Sequence, residues 1–291
     1  MSLLEGLQAH PGLLLFACIL FGLMVGSFLN VVILRLPKML EIEWRRDAKE
    51  ILAETSADLD GQQLSLSRPA SRCPGCQAPL KPWHNVPVIS WLALRGRCAS
   101  CGMAISSQYP LVELLAAGLA ALCAWRFGWS LQLAAALPLC WTLLALMVID
   151  FRTKLLPDSL TQPLLWLGLL VNIPGLFTSL ETAVLGAATG YGTFWLIFQL
   201  FRLLTGKEGM GFGDFKLLAA LGAWLGWAAL PMIVLISSVL GAASGILMLL
   251  SGRLARDNPM PFGPFLAMAG LLMLFWGEAI TRFWFGAAGA T

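Results

Sequence analysis

Two aspartates at the ends of apolar segments are the residues of this sequence best suited to chemistry. Asp150 closes the run Leu-Met-Val-Ile, and Asp214 follows a glycine-rich stretch and opens the run Phe-Lys-Leu-Leu. Ionisable groups at membrane depth are costly, so they are functional candidates. Two close carboxylates share one proton, because both cannot cheaply be charged together. The sequence therefore predicts a catalytic pair that activates water and protonates a scissile carbonyl.

Each aspartate also has a structural alternative. Asp214 is a possible helix N-cap, a position that favours Asp, and Asp150 is a possible interfacial residue paired with Arg152 or Lys154. A helix N-terminus favours an anion and a helix C-terminus favours a neutral acid. As a hypothesis, Asp214 is therefore biased towards the anion and Asp150 towards the acid.

The glycine-rich stretch before Asp214 suits a loop that clasps an extended peptide. Gly209, Gly211 and Gly213 permit close backbone approach and positive φ. Within this region we expect Gly211, Gly213, Lys216 and Asp158 to support the aspartates. The chain has only two histidines, so an HExxH metalloprotease cannot be built from it.

Four cysteines form two C-x-x-C knuckles, Cys73 with Cys76 and Cys98 with Cys101. This arrangement predicts a structural Zn²⁺ site of four thiolates with no open position for catalysis. A disulfide is disfavoured in a cytoplasmic loop, because that compartment is reducing. Cys18, Cys123 and Cys140 lie within apolar segments and are expected to be packing residues.

Glu113 and two residues of the first apolar segment remain ambiguous. Glu113 follows Pro110, which suits an acidic residue in the first turn of a helix. The alternative is that Glu113 binds a cationic group of the substrate. Ser27 and Asn30 have either a helix-contact or a functional use.

The elements that carry these residues are membrane helices. The chain has 291 residues, of which 58% are hydrophobic and 12% charged, and its mean hydropathy is +0.78. About 20 apolar residues cross a bilayer. The sequence predicts an all-α polytopic membrane protein with about eight transmembrane helices. The predicted spans are Gly6–Leu34, a span around Leu114–Trp125, Phe127–Ile149, Ser159–Leu180, Thr182–Phe201, two spans within Leu217–Gly252, and a last span beginning at Asn258.

The basic residues predict the orientation and the domains. With the N-terminus outside, the loops after spans one, three, five and seven hold seventeen of the nineteen Lys and Arg residues. The positive-inside rule places these loops, and both aspartates, on the cytoplasmic side. Three domains follow: a first helix over residues 1–34, a cytoplasmic zinc insertion over 35–108 that begins with an exposed helix at Lys38–Asp60, and a transmembrane peptidase core over 109–291.

Several stretches along the chain carry a family resemblance. They are Gly26–Pro37, Arg72–Cys76, Asn85–Leu92, Gly96–Cys98, Ile105–Glu113, Asp150 with Pro157–Asp158, and Gly211–Asp214. Together they resemble the type IV prepilin leader peptidases, bacterial inner-membrane aspartic proteases of the GxGD type. The full set, in the correct order over nearly the whole chain, is far more specific than a lone GxGD.

The resemblance implies an activity, its substrates and a location. The substrates would be type IV prepilins and type II secretion pseudopilins, cut after a glycine at the cytoplasmic face of the inner membrane, with Asp150 and Asp214 as the essential aspartates. It also implies N-methylation of the new amino terminus from S-adenosylmethionine, to which no residues are assigned. We expect no nucleic-acid partner. The alternative function is a zinc-stabilised, proton-coupled membrane transporter.

Overall fold

A computed structural model describes residues 10–52, 64–80, 82–207, 210–251 and 260–288. This part of the chain is helical and contains no β-strand, only two isolated bridges, Arg72 with Pro79 and Arg97 with Ala104. The predicted all-α membrane architecture is confirmed, with the four knuckle cysteines lying after the first described helix.

Nine α-helices and two short 3-10 helices are described. The α-helices are α1 (Pro11–Ile51), α2 (Ile89–Ala93), α3 (Gln108–Phe127), α4 (Leu131–Thr153), α5 (Asp158–Val171), α6 (Leu180–Thr205), α7 (Phe212–Leu225), α8 (Leu230–Leu250) and α9 (Gly263–Ala288). The 3-10 helices are Pro82–Asn85 and Trp227–Ala229.

Eight of these helices overlap the eight predicted spans, but two are too short to cross a bilayer. Six described helices are long and apolar enough to span a membrane. Helices α5 and α7 have 14 residues each, which is about 21 Å of helix against a hydrocarbon core of about 30 Å. The predicted fourth span, Ser159–Leu180, was therefore too long, and the sixth, which was expected to cross the bilayer within Leu217–Gly252, is a helix too short to do so. Asn172 ends α5, and Gly226 with a φ of 80° ends α7.

Helix α1 is longer than the predicted first span. It continues through residues 34 and 35 and through Pro37 to Ile51, for 41 residues. The helix expected at Lys38–Asp60 is thus a continuation of α1 as far as Ile51, while residues 53–60 lie outside the described part. Residues 6–9 of the predicted span also lie outside it. At about 61 Å, α1 exceeds the thickness of a bilayer, and its charged last part, residues 38–51, contains no buried residue.

The chain divides into two compact units, residues 1–145 and 146–291, with the division inside α4. In the N-terminal unit, α1 packs closely on α3 because glycines remove side chains from the contact. A Cβ at Gly26 would lie 2.6 Å from the Cα of Glu113, and one at Gly22 would lie 2.7 Å from the Cα of Ala117. Small residues of this kind allow membrane helices to approach.

The C-terminal unit is built around α7. Gly186 of α6 faces Gly222 of α7 so closely that a Cβ on either would collide with the other's backbone. Asn172 is fully buried and donates to the backbone oxygens of Ala223, at 2.9 Å, and Trp224, at 3.1 Å. These are end-of-helix carbonyls without partners within the helix. The contacts fix one end of α7, and Asp214 lies at the other.

Candidate active site and metal centre

The two predicted catalytic aspartates lie together in the C-terminal unit. Asp150 is in the last turn of α4, and Asp214 is in the first turn of α7. Only 5% of Asp150 and 8% of Asp214 is exposed. The two carboxylates are close enough to interact electrostatically. Residues far apart in the sequence thus form one buried acidic pair.

Each member of this pair has an oxygen without a hydrogen-bond partner in the described structure. These atoms are Oδ2 of Asp150 and Oδ1 of Asp214. A buried polar atom without a partner is destabilising, so native structures rarely retain one without a functional reason. Two such acceptors in one site suit a shared proton, a bound water molecule or a substrate carbonyl.

Helix ends surround the aspartates. Asp214 is the third residue of α7, whose N-cap is Gly211, so the alternative that Asp214 is the N-cap is wrong. Gly263, the first residue of α9, lies against Asp150, since a Cβ on it would be 2.6 Å from Oδ2 of Asp150. Asp150 therefore contacts a helix N-terminus, although it ends α4. At Asp150 the N-terminus of α9 favours the anion and opposes the effect of the C-terminus of α4, so helix ends no longer assign the acid and the base.

Close packing between Leu156 and two glycines sets the position of the pair. A Cβ on Gly213 would lie 2.7 Å from Cβ of Leu156. A Cβ on Gly263 would lie 2.6 Å from Oδ2 of Asp150 and 3.1 Å from Cδ1 of Leu156. Any larger residue at these glycines would displace the aspartates or the α4–α5 connection.

The glycines before Asp214 act differently from the prediction. Gly211 is extended, with φ −80° and ψ 145°, and has open space around it. Neither Gly211 nor Gly213 has a positive φ, so that expectation is wrong for both. Close approach applies to Gly213 alone, and Gly209 lies outside the described residues.

Lys216 and Asp158 link the first turns of α7 and α5. The Lys216 ammonium lies 2.7 Å from both carboxylate oxygens of Asp158. Lys216 is two residues after Asp214, and Asp158 is the first residue of α5. The ion pair therefore connects the helix that carries Asp214 with the segment that follows Asp150.

An aromatic cluster packs the first turn of α7 against α6. The ring of Phe215 lies 5.8 Å from that of Phe198, 5.9 Å from that of Tyr191 and 5.3 Å from that of Phe212. Phe215 is fully buried beside Asp214. Aromatic pairs at these separations are favourable, and the cluster fixes the direction from which Asp214 enters the site.

Sequence reasoning missed Gly263 and Leu156. Gly263 lies in the run Met-Pro-Phe-Gly-Pro, whose prolines and glycine mark the start of a helix. That signal locates the start of α9 but does not show which residues the start of the helix contacts. Leu156 is an ordinary apolar residue with no sequence signal of its own.

The four knuckle cysteines converge in the N-terminal unit. Their sulfur atoms all lie within 4.8 Å of one another, and those of Cys73 and Cys101 are 3.7 Å apart. Four thiolates at the usual zinc–sulfur distance have sulfurs about 3.8 Å apart. The predicted metal-binding cluster is therefore formed in space, and its donor set is closed.

The backbone of each knuckle supports ionised thiols. Cys73 donates its N–H to Ala78, and Cys98 donates to Met103, so each knuckle closes as a tight loop. Hydrogen bonds from the backbone N–H groups of Cys101 and then Ser100 lower the pKa of the Cys98 thiol to about 6. Those of Cys76 and then Gly75 lower the pKa of the Cys73 thiol. Thiolates are the form that binds a metal.

Comparisons with known proteins agree with this arrangement. Residues 20–127 match the model of the bacterial peptidase A24 N-terminal domain, and residues 137–246 match that of the type IV leader peptidase family. No solved structure matches the chain.

Similar proteins cover almost the whole chain, and each is named prepilin leader peptidase/N-methyltransferase. The protein of Stutzerimonas stutzeri is 51% identical over 281 residues, with 97% of each chain covered. That of Pseudomonas aeruginosa is 50% identical over 289 residues, with 99% of each chain covered. That of Aeromonas hydrophila is 51% identical over 284 residues, again with 97% of each chain covered. With both aspartates inside the second matched region and the relatives matched from end to end, the chain belongs to the type IV leader peptidase family.

Proposed function

We propose that this protein removes the leader peptide from type IV prepilins and type II secretion pseudopilins and then N-methylates the new amino terminus. Its family and the names of its relatives support both activities. The alternative of a zinc-stabilised, proton-coupled transporter is not supported by these relatives.

The observation that carries the peptidase proposal is the buried pair of Asp150 and Asp214, each with an oxygen free of partners. In the proposed mechanism the pair holds one proton and one negative charge. The ionised carboxylate takes a proton from a water molecule, which attacks the scissile carbonyl, while the protonated carboxyl donates to the carbonyl oxygen. The pair titrates as a unit, so separate roles are not assigned to the two aspartates.

The neighbouring residues position this pair in the proposal. Gly213 and Gly263 allow the close packing around Leu156, and Lys216 with Asp158 holds the first turns of α7 and α5 together. Gly211 leaves space where an extended peptide can lie next to Asp214.

Zn²⁺ is the proposed metal of Cys73, Cys76, Cys98 and Cys101. The donor set of four thiols suits this ion. The metal would cross-link the two knuckles and take no part in catalysis, because four protein ligands complete its coordination. The proposed methyl donor is S-adenosylmethionine.

The proposed location is the bacterial inner membrane, with the large loop and both aspartates on the cytoplasmic side. The distribution of basic residues supports this orientation. The bilayer and the prepilin and pseudopilin substrates are then the partners of the enzyme.

A cleavage assay tests the proposed function. Purified protein in lipid nanodiscs is incubated with a prepilin, and the loss of the leader is followed by gel mobility and intact mass. The proposal predicts cleavage by the wild type and by the control Asp47→Asn, an exposed aspartate of α1, and none by Asp150→Asn. A transporter would leave the substrate uncut in all three samples.

The pH dependence of cleavage gives a second test. Because one carboxyl must be protonated and the other ionised, the rate should rise and then fall as pH increases. A rate that reports a single ionisation would contradict the shared proton.

A further inference from the structure

The N-terminal matched region contains a buried polar cluster that the peptidase mechanism does not use. Among its described residues, Asn30 is 2% exposed and Glu113 is 7% exposed, and these are its buried polar or charged side chains apart from the cysteines. Both aspartates lie in the other matched region. A second activity of the chain therefore has few buried polar groups available to it in the N-terminal region.

Glu113 receives hydrogen bonds from two neutral donors. Its Oε2 accepts the backbone N–H of Val88 at 2.7 Å, and the carboxylate also accepts the hydroxyl of Ser27. The structure shows no Lys or Arg paired with Glu113 among the residues it describes. A carboxylate can accept about four hydrogen bonds, so this one retains capacity for a further donor.

Asn30 presents an acceptor with no partner. Its Nδ2 donates to the backbone oxygens of Gly26, at 3.3 Å, and Tyr109, at 3.0 Å. These two carbonyls fix the orientation of the amide, because a flipped amide would set oxygen against oxygen. Oδ1 is buried and has no hydrogen-bond partner in the described structure. Such an acceptor calls for a donor from outside the cluster.

Helix register brings the carboxylate and the amide to the same seam. Ser27 and Asn30 are three residues apart on α1, and residues at that spacing lie on one helix face. Tyr109 and Glu113 are four residues apart on α3. Since Ser27 bonds Glu113 and Asn30 bonds Tyr109, both polar groups lie along the glycine-lined contact between α1 and α3.

A strained turn covers this seam. Val88 has φ 60° and ψ −50°, and the N–H of Ile89 bonds the carbonyl of Pro87, which makes a γ-turn centred on Val88. This turn type is rare and strained, and a β-branched residue makes it more costly. The N–H of Val88 is the group that donates a hydrogen bond to Glu113. Strain that the surrounding structure maintains is characteristic of ligand sites.

We propose that Glu113 and Asn30 form the binding site for a primary ammonium group in the methyl-transfer reaction. The inference rests on the proposed function and assigns residues to its second activity. The negative charge of Glu113 balances the ammonium, and Oδ1 of Asn30 accepts one of its N–H groups. Charge-assisted bonds of this type are stronger than neutral ones.

Two participants in methyl transfer carry such a group. One is the new amino terminus of the cleaved substrate, and the other is the amino-acid end of S-adenosylmethionine. The sulfonium of the donor has no N–H and cannot satisfy Oδ1 of Asn30. The recognised chemistry is therefore the primary ammonium, and experiment distinguishes its two sources.

The test uses the full-length protein in nanodiscs and the variant Glu113→Gln. The amide of Gln still accepts the N–H of Val88, so the turn is retained while the charge is lost. The control Glu50→Gln removes a charge from an exposed site on α1 of the same unit. Binding is measured for a peptide of the mature amino terminus, free or N-acetylated, and for S-adenosylmethionine and its desamino analogue.

Two comparisons are made: the free peptide against the N-acetylated peptide, and S-adenosylmethionine against its desamino analogue. In one of them, the wild type and Glu50→Gln should bind the compound with the free amine about tenfold or more tightly. Glu113→Gln should lose that preference. If the preference is lost between the two peptides, the site binds the substrate. If it is lost between S-adenosylmethionine and its analogue, the site binds the methyl donor. Asn30→Leu should weaken the same preference.

Both reactions are then followed on a prepilin. Glu113→Gln should still cleave the leader but leave the product without the added methyl group. An unchanged amine preference in both pairs, or normal methylation by Glu113→Gln, would overturn the inference. Failure of the wild type to cleave prepilin would instead overturn the proposed function.

Discussion

The two units bury carboxyl groups in different ways. In the N-terminal unit, Glu113 accepts hydrogen bonds from two neutral donors and lies along the same helix contact as the unpartnered amide oxygen of Asn30. In the C-terminal unit, Asp150 and Asp214 lie together, and each has an unpartnered carboxylate oxygen.

The difference separates two kinds of chemistry. A lone buried carboxylate that accepts hydrogen bonds from neutral donors suits the binding of a cation, because the cation's charge offsets the cost of burying the anion. Two carboxylates in one buried site compete for a proton, which suits acid–base catalysis. The following changes test whether the two activities divide between the units in this way.

Asp214→Asn should produce the largest effect. Cleavage should fall by about 10⁴-fold, because the pair loses one of its two ionisable groups. Methylation of a substrate supplied without its leader should continue, which is the opposite of the result expected for Glu113→Gln. Gel mobility and intact mass report the two reactions separately. Loss of both reactions in either variant would remove the proposed division of labour.

Changing two of the four knuckle cysteines should abolish metal binding in the N-terminal unit. Cys73→Ser combined with Cys98→Ser leaves two thiols, so the metal content of the purified protein should fall from about one ion per chain to none. Elemental analysis by mass spectrometry measures this directly. Cys123→Ser changes a buried thiol outside the cluster and should leave the metal content unchanged. Retention of metal by the double variant would reject the site.

Gly263→Ala should impair cleavage with little change in folding. The added methyl group would lie 2.6 Å from Oδ2 of Asp150, so the carboxylate must move, and displacements of this order reduce rates by up to about 100-fold. Gly192→Ala is the matched control, because a Cβ there meets nothing within 4 Å. Equal cleavage rates for the two variants would mean that Gly263 does not position Asp150.

The Lys216–Asp158 pair should give the smallest effect. Asp158 is 61% exposed, and ion pairs of this kind contribute about 0.2–1 kcal/mol. Lys216→Met should therefore slow cleavage only a few-fold, and Asp158→Asn should add little to it. Arg45→Met breaks a comparable exposed pair with Glu41 on α1 and should not affect cleavage. Additive effects of the Lys216 and Asp158 changes would show that the two do not act together.

Local sequence signals predicted the helices and the metal cluster well. Runs without charge identified eight helical segments, because burying a charge in lipid is costly wherever it occurs. The spacing within each C-x-x-C knuckle is a local constraint, and it predicted that Cys73 and Cys98 would lie near their partners. The ends of α5 and α7 were less predictable, since Asn172 stops α5 through contacts with a distant helix.

The details of the aspartate site depended on contacts that no local pattern encodes. Asp150 and Asp214 were expected on the same side of the membrane because the positive-inside rule placed the loops at both helix ends on the cytoplasmic side. Gly263, which packs against Asp150, begins a helix more than a hundred residues later in the chain, and the N-terminus of that helix changes the expected electrostatics of the pair. Likewise, the unpartnered oxygen of Asn30 follows from the packing of α1 on α3.

We propose that Asp150 and Asp214 work as one catalytic unit. Initial rates of prepilin cleavage should be compared for Asp150→Asn, Asp214→Asn and the double variant, with Asp47→Asn as the control. Both single variants and the double variant should fall to the same residual rate, because residues that act together have non-additive effects. A single variant that keeps more than about 1% of the wild-type rate, or a double variant far slower than either single one, would contradict it.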